Sequence, residues 1–419
     1  MTQRIDHWLV LIVTLLVTGG MLMVFSASAV GNPTVVGAEF KYLIRQGMAF
    51  GVGLSLCVAA SLATSKIWRG IHQYLYFAMV VGLIFCLIPG IGHSSHGAAR
   101  WIGFGSINFQ PSAFAKLAVL ISLAAFLHNH RGKVHLLPTL VQAAAIPSFM
   151  IAFIIVEPDF GTSLIIASLS FFMMVIAGMR MKHLLVSSVG LLAVGGVVLM
   201  SAEYRVRRML NFLDPWQTRQ SEGYQVVQSW IAMHNGGLNG QGLGNSIAKR
   251  QFLPEPWTDF IAAVIAEELG FVGIVVLISL FGALLWRGLY IARHAKDAFS
   301  MYLATALTFM IVGEAFFNLG VVMGVVPPKG LVLPFISYGS SAMMANMTAI
   351  GILIGISAER KDTPMEKGWY KAPSISSHTE SSHTDIETPA QLSEELDKLE
   401  ELRSVEEVSV EAGATGVRP

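Results

Sequence analysis

Charge is what this sequence has least of: 13% of its 419 residues are Asp, Glu, Lys or Arg, about half the share usual in a soluble domain. So few charges cannot cover a globule in water. With 53% hydrophobic residues, the class that remains is a membrane protein that crosses the bilayer many times. Cysteine is nearly absent too. Cys57 and Cys86 are the only two, and both lie in apolar stretches, which excludes a disulfide framework or a cysteine metal site and leaves them as small packers. The 12 histidines are scattered; His93 with His96 and His128 with His130 lack the helical spacing of metal ligands. A net charge of +1 gives no basic patch for nucleic acid.

What the chain has in abundance is long apolar runs. A helix needs about 20 mostly apolar residues to span hydrocarbon, and ten stretches qualify: 8–27, 42–63, 74–91, 112–127, 137–156, 160–178, 184–200, 260–286, 301–326 and 334–357. The expected fold class is therefore all-α, a polytopic membrane protein. The first stretch has no small-residue cleavage site before a soluble domain, so it reads as a span and not as a removed signal peptide.

Lys and Arg fall in alternate short loops. Arg4, Lys66, Arg69, Arg131, Lys133, Arg180, Lys182, Arg287, Arg293, Lys296, Arg360 and Lys361 share one side, which the positive-inside rule makes cytoplasmic. Both termini are then expected inside. Residues 1–358 form the membrane domain. Residues 359–419 carry 14 acidic and 7 basic side chains with few large apolar groups, the composition of a disordered acidic tail. Within it, Leu392, Leu396, Leu399 and Leu402 keep helical spacing, suited to folding on a partner.

The opposite side holds an unusual polar loop of about 58 residues, 201–258, which delivers Asp259 to the start of an apolar helix. Connections this long are uncommon unless they bind or react. Three further outer segments accompany it: Arg100 to Ser112, Glu157 to Thr162, and Pro327 to Gly339. Cations beside a carboxylate at a lipid surface suit an anionic, lipid-linked substrate. The residues alone leave alternatives open. Asp259 also fits a helix N-cap, Arg205, Arg207 and Arg208 also fit lipid headgroups, and the glycines from Gly236 to Gly244 also fit ordinary turns. Glu314, in the middle of a span, must be protonated, partnered or in a polar cavity. Glu267 and Glu268 precede the uninterrupted apolar run, so their helix is expected to project about two turns above the bilayer and carry Asp259 clear of it.

Several motifs occur in order: Glu157-Pro158-Asp159 with Gly161-Thr162, Phe212 to Trp216, Gly223-Tyr224-Gln225, Gly242 to Ser246, Leu253-Pro254-Glu255 with Thr258-Asp259-Phe260, Glu267 to Gly270, and Pro334 with Ser337-Tyr338-Gly339. Together they closely resemble the SEDS family of bacterial cell-shape and division proteins, over residues 8–358. Pro328-Lys329-Gly330 resembles the division branch, FtsW, more than the elongation branch, RodA. The resemblance implies a ten-span peptidoglycan glycosyltransferase at the division septum that polymerises lipid II on the outer membrane face. It also implies a class B penicillin-binding protein of the FtsI type as partner and division regulators such as the FtsQLB complex. The family's essential aspartate falls on Asp259. Three positions depart from the family pattern: Ala113 and Gln251 where acidic residues are usual, and Ser340 where glycine is common. The absence of a carboxylate at 113 is expected to leave Lys116 or another outer cation without a polar partner.

Polymerisation of lipid II needs a base for the attacking sugar hydroxyl and positive charge at the departing pyrophosphate. Asp259 is the expected base. Lys329, Arg100, Arg208, Lys249 and Arg250 are the candidate cations, with a divalent Mg or Mn ion as the one possible cofactor. Lys116, Glu157, Asp159 and Ser337 complete the candidate substrate-binding set. Two rival readings use other residues. A lipid II flippase would rely on Glu314, Asn318 and Lys116, and a division scaffold would need no outer carboxylate.

Overall fold

The computed structural model describes residues 5–28, 38–88, 92–95, 98–104, 107–200, 206–207, 212–221 and 223–360. The acidic tail from 361 onwards lies outside the described residues, as does Arg208.

Helices fall where the apolar runs are. They are α1 (His7–Ser28), α2 (Ala38–Leu62), α3 (Ser65–Leu87), α4 (Pro111–Asn129), α5 (Leu137–Val156), α6 (Phe160–Ile176) and α7 (Met181–Met200). After the long loop's own helix α8 (Tyr224–Gly236) come α9 (Ile261–Arg293), α10 (Ala298–Val322) and α11 (Ser340–Ala358). Among the described residues, eight helices are long and apolar enough to cross a membrane, while Phe160–Ile176 and Met181–Val197 are shorter apolar helices. These two occupy the remaining pair of the ten expected spans. Local chemistry sets several starts. Pro111 opens α4, where a missing N–H costs nothing, and the Asp297 carboxylate accepts the Ser300 N–H at 2.9 Å to cap α10.

Burial separates a centre from a rim. The most hydrophobic stretches of α4, α10 and α11 are 83%, 78% and 78% buried, against 17% for α3 and 28% for α2, so the first three form the core and the others face lipid. The packed centre includes Phe281, Phe299, Tyr302 and Phe335, all fully or almost fully buried.

One face is held by ion pairs among residues that the charge pattern assigned to the inner side. Asp6, just before α1, accepts from Arg287 Nε at 2.7 Å and from Arg360 at 2.9 Å. Glu359 accepts from the Ser65 hydroxyl at 2.6 Å, and Arg69 lies 2.8 Å from the His128 ring and 3.7 Å from Asp297. The chain therefore enters α1 and leaves α11 at the same face. At Asp6 the guanidinium groups of Arg287 and Arg360 more than offset the cost of burial and hold the carboxyl below the usual range.

Three features depart from the sequence reading. First, the segment between α3 and α4 is not an irregular loop: β1 (Gly92–Ser95), β2 (Ala98–Phe104) and β3 (Ile107–Phe109) form a small antiparallel sheet in the order β1-β2-β3. The sheet adds to an otherwise helical fold because a connection without helix must satisfy its backbone groups by other means. Second, the long loop contains α8 and a π-turn at Ala248–Phe252.

Third, α9 does not project as a continuous rod. Its backbone breaks at Gly270, at φ 68° and ψ −166°, and Ile261 to Glu268 are buried inside the protein. The glycine-dense loop fills the break. Gln241 and Gly242 donate to the carbonyls of Glu267 and Glu268 at 2.9 and 3.0 Å, while Phe271 and Val272 donate to those of Gly237 and Leu238 at 2.9 and 3.2 Å. Backbone meets backbone here: a Cβ on Gly270 would stand 2.3 Å from the Gly240 nitrogen, and one on Gly240 would stand 2.2 Å from the Glu268 carbonyl oxygen. These two glycines are required by contact as well as by their positive φ.

Candidate active site

Asp259 lies at the outer end of α9, half-buried. The helix N-cap is Phe260, so Asp259 stands one residue before the cap position that the sequence allowed it. Its position is fixed through the backbone. Asn318 Nδ2, on α10, donates to the Asp259 carbonyl at 2.8 Å and to the Leu331 carbonyl at 2.5 Å. Asp259 Oδ2 lies over Gly330, 3.1 Å from where a Cβ would be. The carboxylate and the segment that carries Lys329 are thereby brought together.

Lys329 is itself held. Its ammonium donates to the Gly161 carbonyl at 2.8 Å and sits 5.3 Å from the centre of the Phe317 ring. Burial pushes the lysine down to about 8, against the opposing charges of Asp159 and Glu314. It therefore remains a cation near neutral pH, with a proton it gives up easily.

The α5–α6 turn forms the adjacent wall. The Asp159 carboxylate caps α6, accepting from the Thr162 N–H at 3.1 Å and the Thr162 hydroxyl at 2.8 Å. Arg100, on β2, donates to the backbone carbonyls of Glu157 at 3.1 Å and Pro158 at 2.6 Å. Glu157 is buried, and neither carboxyl oxygen meets a donor at hydrogen-bond geometry among the described residues, although the Cys86 thiol lies beside it. Burial, reinforced by the Asp159 charge and only partly countered by Arg100, pushes Glu157 up to about 8.

Not every expected site residue joins this group. Lys249 is buried in an ion pair with Glu268 at 2.6 Å, and it also donates to the Ser26 carbonyl and hydroxyl at 3.2 Å. That pair is sealed from solvent on both sides, so Lys249 fastens the long loop to α1 and α9 instead of facing a ligand. Arg250, the next residue, is exposed.

Ser337 is buried as well. It donates to the Thr258 carbonyl at 2.7 Å and accepts the Leu333 N–H at 2.9 Å, and the Tyr338 N–H meets the Trp257 carbonyl at 2.8 Å. It is a clasp behind Asp259. The expected vacancy beside Lys116 is also corrected. Ala113 is buried on α4, yet Lys116 forms an ion pair with Glu314 from α10. A carboxylate from a neighbouring helix does what one on the same helix would have done.

Sequence reasoning missed Phe317 and Gly161 and assigned Asn318 to a different role. Glu314, Phe317 and Asn318 share an i, i+3, i+4 face, a spacing legible in the sequence, but nothing in one dimension says that this face meets Lys116, Lys329 and Asp259.

Residues 6–362 match the family model described as cell cycle protein, FtsW/RodA/SpoVE. The chain belongs to this family. A probable peptidoglycan glycosyltransferase FtsW from Geobacter metallireducens is 36% identical over 363 residues, covering 86% of this chain and 97% of that one. Stage V sporulation protein E from Bacillus subtilis is 37% identical over 359 residues, covering 84% and 96%. A chain from a structure titled "Structural coordination of polymerization and crosslinking by a peptidoglycan synthase complex" superposes with a TM-score of 0.70 at 27% identity, covering 86% and 99%. The rod shape determining protein RodA of Thermus thermophilus superposes at 0.64 with 25% identity, again covering 86% and 99%. Within the FtsW/RodA/SpoVE family this chain is FtsW-like, and it is an enzyme of the class for which its FtsW relatives are named, the peptidoglycan glycosyltransferases.

Proposed function

We propose that this protein polymerises lipid II into glycan strands on the outer face of the bacterial cytoplasmic membrane at the division septum, with Asp259 as general base. The observation that carries the reading is the junction of Asp259 with the Lys329 segment, where Asn318 ties both backbones together. As the sugar 4-hydroxyl of one substrate attacks the anomeric carbon of another, the new C–O bond forms and the hydroxyl proton passes to the Asp259 carboxylate. The bond to undecaprenyl pyrophosphate breaks with inversion, and the charge that develops on the phosphate oxygens is met by Lys329. An arriving pyrophosphate would raise again the proton affinity that burial lowers at Lys329 and so keep it a cation through the step. Arg100 stiffens the wall through the α5–α6 turn, and Arg250 and Arg208 are outer-loop cations that meet the substrate or lipid headgroups.

Among the described residues no cluster of three or more His, Cys, Asp or Glu side chains is arranged to hold a metal ion. Mg and Mn are commonly held by one or two carboxylates together with substrate phosphates, so a divalent ion is proposed to share the pyrophosphate charge with Lys329.

The membrane interior argues for catalysis over transport. The residues a flippase would use are engaged within the protein: Lys116 pairs with Glu314, and Asn318 holds two backbone carbonyls. A class B penicillin-binding protein of the FtsI type is the proposed partner, in keeping with the structural likeness to a complex whose title joins polymerisation with crosslinking. The FtsQLB complex is the proposed regulator. Both termini are proposed to lie in the cytoplasm, which the shared ion-pair face of Asp6 and Arg360 supports.

The deciding experiment is glycan-chain formation from lipid II by the purified protein with its penicillin-binding partner. Asp259→Asn keeps the side-chain size and removes basicity, and it is expected to lower turnover by at least about a hundredfold with melting temperature and partner binding retained. Glycan synthesis at the unsubstituted rate would refute Asp259 as base.

A further inference from the structure

Three residues on one face of α10 each touch something different. Glu314 pairs with Lys116 of α4, Phe317 lies beneath the Lys329 ammonium, and Asn318 donates to the carbonyls of Asp259 and Leu331. This face carries the whole junction. Asn318 has no solvent exposure, and its single amide nitrogen spends both of its N–H groups on two chain segments that are otherwise 72 residues apart, since 331 minus 259 is 72. Its Oδ1 meets no donor among the described residues. A buried amide retained at the cost of an unsatisfied oxygen is a choice for the two donors, because an aliphatic side chain of the same shape would fill the space without that penalty.

We infer that Asn318 is a positioning residue that sets the distance between Asp259 and Lys329 by clamping both backbones. Where reacting groups must be held in register, a shift of about 1 Å can cost on the order of a hundredfold in rate. Ser337 makes a second tie one step further along each segment, donating to the Thr258 carbonyl and accepting the Leu333 N–H, and Lys329 is fixed laterally to Gly161; Asn318 is the tie at Asp259 itself. Glu314 and Lys116 anchor α10 to α4, so the clamp has a rigid base. The inference rests on the roles proposed for Asp259 and Lys329, and its test therefore needs a readout that does not depend on glycan synthesis.

That readout is the pH profile of Lys329 itself, followed in the full-length protein without substrate by amine labelling and peptide mass spectrometry. In the unsubstituted protein the labelling midpoint should lie at about 8. Asn318→Leu removes both donors while keeping the branched side-chain framework, and Asn318→Ser keeps one. Release of Leu331 should let the Lys329 stem move into solvent, so the midpoint should rise toward the ordinary lysine value of about 10.4 in the Leu variant and part-way in the Ser variant. Turnover of lipid II should fall on the order of tenfold or more in the Leu variant and less in the Ser variant.

An unchanged Lys329 profile in either folded variant would overturn the clamp. So would loss of folding in both variants at the assay temperature, which would make Asn318 a residue of stability alone. A shifted profile with no effect on glycan synthesis would uphold the clamp and count instead against the catalytic roles of the two residues it joins.

Discussion

Gly161 leaves the space that the Lys329 stem occupies: a Cβ at position 161 would stand 2.8 Å from Lys329 Cε and 3.0 Å from Asp159 Oδ1. The glycine carbonyl also receives the lysine proton at 2.8 Å, so the smallest residue at the top of α6 both admits the cation and holds it.

Gly161→Ala is therefore expected to push the Lys329 chain aside. Turnover of lipid II should fall about tenfold or more, while melting temperature drops little, because a flexible stem can yield where backbone could not. A polymerisation assay with parallel thermal unfolding checks both. Unchanged turnover would separate Gly161 from the site.

Glu157 supplies a test by pH. Its folded value of about 8 lies above the usual carboxyl value of 4.5, so the folded protein binds a proton that the unfolded chain releases. The associated stability is complete below about pH 4.5 and is lost as pH rises through about 8. Glu157→Gln fixes the neutral form. It should raise the melting temperature near pH 9 relative to the unsubstituted protein and flatten the fall between about pH 5 and pH 9. Parallel pH–stability curves for the two proteins would remove Glu157 as the titrating group.

Gly270→Ala should be severe. Its Cβ would meet the Gly240 nitrogen and the Leu238 carbonyl at 2.3 and 2.4 Å, atoms that belong to backbone and cannot rotate away, and the φ of 68° is itself costly for alanine. A loss of more than about 2 kcal/mol is expected, together with faster proteolysis of the long outer loop. Limited proteolysis and thermal unfolding measure these directly.

The ion pair between Lys116 and Glu314 makes Ala113 informative. Glu314→Gln should destabilise the protein by about 3 kcal/mol, because it strands a buried ammonium. Adding Ala113→Glu to that variant should recover much of the loss by supplying a carboxylate three residues away on the same helix. Ala113→Glu alone should destabilise, since a second buried acid then competes for one lysine. Three melting temperatures decide the matter, and failure of the double variant to recover would show that the pair depends on the α10 position.

Much of this was legible in one dimension because lipid imposes simple demands. Ten apolar runs became ten helices, and three of the basic residues assigned to the inner face, Arg69, Arg287 and Arg360, meet acidic partners there. Asp259 and Lys329, proposed from charge and resemblance, come together. The errors share a cause. The sequence points to Lys249, Ser337 and Lys116 as substrate-binding groups, yet each has a protein partner from elsewhere in the chain: Glu268 and Ser26, Thr258, and Glu314. Sequence reveals that a polar group must be satisfied, but the donor or acceptor is chosen by packing. The break at Gly270 was missed for a related reason, since an apolar run looks the same whether its helix continues or is interrupted by a loop that donates the missing hydrogen bonds.

That break also has a mechanical meaning. A continuous helix behaves as a stiff lever, and any tilt that the bilayer imposed at Arg287 would swing its outer end through an arc. With the peptide ladder interrupted at Gly270 and handed over to residues 237–242, the shaft from Phe271 to Arg293 and the buried stub from Ile261 to Leu269 are joined through the loop and not through one helix. The stub that leads directly to Asp259 is thus registered to the protein's own core, through residues 261–268 buried there, and not to the shaft.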